Sequence, residues 1–168
     1  MAKYVVMGVS GCGKTLIGAG YAAAIGARFI DGDDLHPAAN VAKMAAGMAL
    51  QDADRAPWLA KVGRTLGLHT GDTVIACSAL TRAYRDIIRA EAGGSVMFLL
   101  LQGRRDVIAA RMAARKGHFM PQSLLDSQFA TLELPQADET AVSVDIDQTS
   151  QAIIAEFLSL TGKNAPWP

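Results

Sequence analysis

Apolar positions follow two rhythms along this chain, short unbroken runs rich in β-branched residues and longer stretches spaced to make one face of a helix. Lys3 to Val9 (KYVVMGV) is a run of the first kind, closed by glycines, and reads as a buried strand leading into a turn. Lys14 to Ile25 then reads as a helix. Arg28 to Asp31 (RFID) is a second short strand that ends in carboxylates. Thr73 to Cys77, Val96 to Leu101 and a weaker Ala141 to Ile146 supply three more, with helical patterns between them. Strands separated by helices cannot pair as tight hairpins. The pattern therefore predicts an α/β fold, a doubly wound parallel five-stranded sheet with right-handed crossovers covering both faces.

Between the second and third strands lie two helical segments, about Pro37 to Ala46 and Asp54 to Leu68, more chain than a plain crossover needs. We read the region of residues 36–70 as a substrate flap. In its first helix His36, Asn40 and Lys43 share one polar side while Val41 and Met44 can face inward; in its second, Trp58, Val62 and Leu66 make an apolar stripe that is simplest as core. A further helix, Arg104 to Arg115, runs into KGHFMP, where Gly117 and Pro121 break it before another from about Gln122 to Leu132. This pair, residues 104–132, reads as a hinged lid, packed closed by Phe119 and Met120. The tail Gly162 to Pro168 is too rich in Gly and Pro for regular structure, which leaves residues 1–161 as a single domain.

Composition narrows the chemistry. A chain of 168 residues, half of them apolar, has the size and balance of one globular domain. Sixteen basic residues balance sixteen acidic ones, so no long-range field gathers nucleic acid or an anionic membrane. No aliphatic run approaches the about 20 residues that span a bilayer. Only Cys12 and Cys77 occur, too few for a disulfide framework or a zinc cluster, and a reducing cytoplasm is the expected compartment. His36, His69 and His118 lack paired ligand spacing, so no zinc site is expected. The glycine-rich segment begins at Gly8, too early for a cleavable signal to precede it.

That segment carries the chemistry. Residues 8 to 15 read GVSGCGKT, the pattern Gly, four residues, Gly, Lys, Thr, standing between a strand and a helix. Glycines let consecutive N–H groups turn inward around a phosphate, and the helix N-terminus adds partial positive charge. Gly8, Val9, Ser10, Gly11, Cys12, Gly13, Lys14 and Thr15 are thus the predicted nucleotide cradle. Lys14 sets an ammonium against the β- and γ-phosphate oxygens of ATP, and the Thr15 hydroxyl is a ligand for Mg2+. Cys12 reads as a small filler rather than a redox centre.

Directly after the second strand stands Asp31-Gly32-Asp33-Asp34-Leu35-His36-Pro37. In a doubly wound sheet, strand ends on that side open onto the ligand crevice. A carboxylate there can hold magnesium through water or accept the proton of an attacking alcohol. Asp34, close before Pro37, also reads as a helix N-cap. A GTPase would carry NKxD and DxxG strings, and neither occurs.

With these motifs in hand, GVSGCGKT, FIDGDDLHPAANVAKMAAGMALQDADRAPWL, CSALTRAYRDIIR and HFMPQSLLDSQFATLE together resemble bacterial gluconate kinase, a P-loop small-molecule kinase related to shikimate kinase, over about Lys3 to Glu133. The resemblance implies a nucleoside-kinase-like fold, ATP with magnesium, D-gluconate as acceptor, 6-phosphogluconate as product and a homodimer. By the same analogy Asp33 is the base at the reacting hydroxyl, Asp31 serves the outer shell of magnesium, and Arg55 grips the acceptor. His36, Arg82 and Arg85 are further acceptor candidates, since gluconate has one carboxylate and a row of hydroxyls. Arg111 and Arg115, four apart on one helix, are candidates to neutralise the moving phosphoryl group. The chain departs from the family pattern in two places: Thr81 and Arg82 follow CSAL where Lys is frequent, and Ala49 stands where Pro is frequent. Rival readings are a kinase for shikimate or a nucleoside monophosphate, and a non-catalytic ATP-binding module.

Overall fold

The computed structural model describes residues 1–114 and 122–163. Its strands are β1 (Lys3–Met7), β2 (Arg28–Asp31), β3 (Thr73–Ala76), β4 (Met97–Gln102) and β5 (Ala141–Asp145). All pair in parallel in the order β2-β3-β1-β4-β5. β1 lies at the centre, in register with β3 through Val5 and Ile75 and with β4 through Val6 and Leu99.

The apolar runs are buried on both faces, as parallel strands require. Alternate residues divide between two cores. Val6, Val74, Leu99 and Leu101 pack with Ile17 and Tyr21 of α1 (Lys14–Ile25) and with Ile153 and Phe157 of α7 (Ser150–Leu160). Val5, Met7, Ile75, Phe98 and Leu100 pack against α3 (Asp52–Leu68) and α4 (Arg82–Ala92). The predicted stripe of Trp58, Val62 and Leu66 lies within this second core. Helices on both faces of a parallel sheet confirm the doubly wound expectation.

The β2 to β3 interval holds a 3-10 turn, Gly32–Leu35, then α2 (Ala38–Ala45), then α3. The orientation of α2 is the reverse of what its pattern suggests. Asn40 is 3% exposed, whereas Val41 and Met44 are 51% and 44% exposed. The polar side turns inward because each of its groups finds a partner on the first turn of α3: the Asn40 amide donates to the Asp54 carbonyl at 2.9 Å, and Lys43 Nζ donates to both Asp54 carboxylate oxygens at 2.8 Å. Buried polar groups that are fully paired cost little, and among the described residues the apolar side meets no facing element. Nor does Asp34 cap α2, since Pro37 precedes that helix; the capping carboxylate is Asp31, which accepts from the Asp33 amide at 3.0 Å and closes the 3-10 turn.

Helix α5 (Arg105–Ala114) and helix α6 (Gln122–Thr131) bracket residues 115–121. Arg115, Gly117, His118, Phe119, Met120 and Pro121, with tail residues 164–168, lie outside the described residues. Among the described residues no helix is long and apolar enough to cross a membrane.

Candidate active site

The cradle forms where β1 ends at the middle of the sheet. Gly11 and Gly13 have φ of 81° and 97°, a backbone that a side chain at these positions would strain. A Cβ on Gly11 would also strike Met112 of α5 at 2.4 Å, so the loop is pressed against that helix. Cys12 is buried at 1% exposure and burial pushes its thiol pKa up, the behaviour of a packing residue and not of a nucleophile. Lys14 Nζ folds back to donate to the Val9 carbonyl at 3.0 Å.

The decisive contact joins this loop to the carboxylate corner. The Thr15 hydroxyl donates to Asp31 Oδ2 at 2.9 Å, while Asp31 Oδ1 takes the Asp33 amide at 3.0 Å. Strand β2 ends beside β3, and Gly32 follows at a point where a Cβ would meet the Ala76 carbonyl at 2.3 Å. Only glycine lets the chain turn so tightly against β3 and present Asp31 and Asp33 on the cradle side. Thr15 and Asp31 are oxygen donors side by side, the donor set a hard cation such as Mg2+ takes.

His36 and Arg55 complete the corner. The His36 ring stacks on Trp58 with centroids 4.1 Å apart and planes 16° apart, and Trp58 Nε1 donates to the Gly32 carbonyl at 2.8 Å. Trp58 is thus core on one side and a platform for the site on the other, a role its helical spacing does not reveal. Burial lowers the His36 pKa, the Asp33 carboxylate opposes that shift, and the Arg55 guanidinium reinforces it. Arg55 in turn donates to the Tyr84 hydroxyl at 3.1 Å and lies 3.6 Å from Asp52, to which Tyr84 also donates. Burial, then the Asp52 hydrogen bond, push the Tyr84 pKa up, so the phenol stays neutral and braces the arginine.

Two acceptor candidates are engaged by partners within the protein. Arg85 is 0% exposed and spends all three nitrogens within the protein: Nε and one terminal nitrogen form a bidentate pair with Glu139 at 2.7 and 2.8 Å, and the other terminal nitrogen donates to the carbonyls of Ala79, Leu80 and Glu133. It is a structural tie. Arg82 turns away as well, with its guanidinium on both Asp138 oxygens at 2.9 and 2.6 Å and on Gln136 at 2.9 Å. An arginine in a pattern such as TRAYR announces charge but not direction. Arg111 stands near the cradle, yet its guanidinium donates to the Ile146 and Gln148 carbonyls between β5 and α7, the latter at 3.3 Å.

One contact the sequence does not signal reaches the cradle from α6. Gln128 Oε1 accepts from the Ser10 amide at 2.6 Å and Gln128 Nε2 donates to Ser10 Oγ at 2.9 Å, across 118 residues of chain. Gln128 lies within the family-like HFMPQSLLDSQFATLE string, which was its only mark.

Comparison with known proteins agrees with this geometry. The profile of the shikimate kinase family matches residues 10–161. The thermosensitive gluconokinase of Escherichia coli is 48% identical over 165 residues, covering 91% of this chain and 88% of that protein. The thermoresistant gluconokinase of the same organism is 44% identical, covering 95% and 93%. A crystal structure of a gluconokinase from Sinorhizobium meliloti superposes with a TM-score of 0.89 at 46% identity, covering 98% and 93%. A matching family profile over most of the chain, together with relatives this similar along nearly their whole length, shows that the chain belongs to the shikimate kinase family of P-loop kinases and, within it, to the gluconokinases.

Proposed function

We propose that this chain transfers the γ-phosphoryl group of ATP to a hydroxyl of D-gluconate, giving 6-phospho-D-gluconate. The observation that carries the reading is the Thr15 to Asp31 hydrogen bond of 2.9 Å, which ties the phosphate cradle to the acceptor-side carboxylates. In this reading the cradle amides and Lys14 hold the terminal phosphates, and Lys14 leaves the Val9 carbonyl to do so. Asp33 is exposed beside Asp31 and accepts the proton of the attacking hydroxyl. Arg55, oriented by Tyr84 and Asp52, pairs with the gluconate carboxylate. Thr15 and Asp31 are the residues that would hold Mg2+, which when bound neutralises charge on the phosphate oxygens.

The same reading includes a flap over residues 36–70, a lid over residues 104–132 with Arg111 and Arg115 acting on phosphate charge, a homodimer and a cytoplasmic location. ADP release measured against gluconate, other sugar acids, shikimate and nucleoside monophosphates tests it. Turnover is expected with gluconate foremost. Turnover with shikimate or a nucleotide and none with gluconate overturns the acceptor assignment, and ATP binding without turnover on any acceptor favours a non-catalytic module.

A further inference from the structure

The His36 ring is held by more than its stack on Trp58. The Asn40 side-chain nitrogen carries two hydrogens and both are spent: one on the Asp54 main-chain carbonyl at 2.9 Å, the other on His36 Nδ1 at 3.2 Å. A carbonyl can only accept, so the Asp54 contact decides which end of the buried Asn40 amide faces inward. The same nitrogen then meets His36 Nδ1 as a donor, and Nδ1 must answer with its lone pair. The single proton of the neutral ring is therefore on Nε2. Among the described residues Nε2 of this half-buried ring has no hydrogen-bond partner, which leaves its N–H available to a ligand.

We propose that Asn40 is a positioning residue that holds His36 as the neutral Nε2–H tautomer, and that this N–H donates to an oxygen of the polyhydroxy acid acceptor between Asp33 and Arg55. Among the described residues the charges that act on the ring are Asp33 on the 3-10 turn and Arg55 on α3; behind Asn40 the Asp54 carboxylate is neutralised by Lys43 at 2.8 Å. Protonating the ring would set an Nδ1–H against the Asn40 N–H, and turning the Asn40 amide over would set its oxygen against the Asp54 carbonyl. Neither escape is cheap. Burial and the Arg55 charge separately lower the His36 pKa, against the opposing Asp33 carboxylate. A neutral donor recognises a hydroxyl or carboxylate oxygen without adding charge beside Arg55. Its proton stays in place through the range in which a free imidazole titrates.

The inference rests on the gluconate reading for its acceptor but not for its tautomer, and the test separates them. Nitrogen-15 NMR of the full chain labelled at histidine reads the ring proton directly, without any acceptor. The expected result is an Nε2–H tautomer for His36 at neutral pH, no titration near the usual value, and a shift of the Nε2 signal when gluconate is added. A ring protonated at Nδ1, or a cation at neutral pH, overturns the inference. In steady-state assays, His36→Leu is expected to raise KM for gluconate about 10- to 100-fold with KM for ATP unchanged, and His36→Gln, which keeps a donor, to recover most of that loss. Asn40→Asp offers a carboxylate to Nδ1 and inverts the tautomer. Its KM for gluconate should rise with pH, whereas that of the parent is flat. The NMR experiment and the His36 pair decide the matter if Asn40→Asp fails to fold. Gluconate turnover with KM unchanged in His36→Leu overturns the inference alone; absence of gluconate turnover in the unaltered chain overturns the reading beneath it.

Discussion

Asp31 has one oxygen on the Thr15 hydroxyl and the other on the Asp33 amide, so it fixes the distance between the nucleotide cradle and the proposed base. Replacing Asp33 with Ala removes the proton acceptor without touching that tie. Asp33→Ala is therefore expected to retain ATP binding, measured by calorimetry, while kcat falls about 100- to 10,000-fold. Lys14→Ala differs, because in the proposed mechanism the ammonium contacts phosphate before and during transfer; both ATP affinity and kcat should fall. Arg55→Lys keeps the charge but loses the fork that reaches Tyr84 and a carboxylate together. An increase in KM for gluconate of about tenfold or more, with KM for ATP unchanged, is expected from the loss of a charge-assisted pair. An unchanged KM for gluconate would remove Arg55 from the acceptor site.

Helices α3 and α4 carry Arg55 and Tyr84, and how closely they approach is set by glycine. A Cβ on Gly63 would stand 2.6 Å from both the Ile88 carbonyl and the Glu91 Cβ of α4. In an exposed helix, glycine to alanine stabilises by up to about 1 kcal/mol. Here the added methyl has backbone in its way, and Gly63→Ala should instead destabilise by about 1–3 kcal/mol, read from urea unfolding. The shift should also move Arg55 against Tyr84, which sit on the two helices, so KM for gluconate should rise with it. Helix α2 shows a different device. Its inward side is polar, and Asn40 and Lys43 grip the first turn of α3 through Asp54, leaving Val41 and Met44 in solvent. The Lys43 hydrogen bond holds the Asp54 carboxyl below its ordinary pKa.

Across the molecule, the buried pair of Arg85 and Glu139 binds the loop after β3, beside the cradle, to the segment between α6 and β5. The Arg85 hydrogen bonds hold the Glu139 carboxyl down to about 2 from an ordinary 4.5. A carboxylate with a lowered folded-state pKa contributes stability that is present above about 4.5 and is lost as pH falls toward about 2. Glu139→Gln should cost about 3 kcal/mol near neutral pH, because Arg85 is left buried without a counter-charge. The difference between variant and parent should shrink in acid unfolding experiments, and a difference that stays constant to low pH would contradict the assignment. Nucleotide should stabilise the whole domain by mass action, with a rise in Tm on adding ATP that Lys14→Ala reduces.

Local chemistry determined a large part of this protein from sequence. The strand and helix around GVSGCGKT, the end of β2 at Asp31 and the alternation that makes a parallel sheet each depend on neighbours within a few residues, where periodicity and backbone freedom act directly. The tertiary structure alone decided where polar side chains point. Arg55 and Arg85 look alike in sequence, yet one stands half-buried against the Tyr84 hydroxyl and the other is sealed against Glu139. Asn40 has the spacing of a solvated face but lies buried, and Gln128 meets Ser10 only because α6 returns to the cradle. Such outcomes follow from partners remote in the chain, because a polar group is buried only where the fold brings it a matching donor or acceptor.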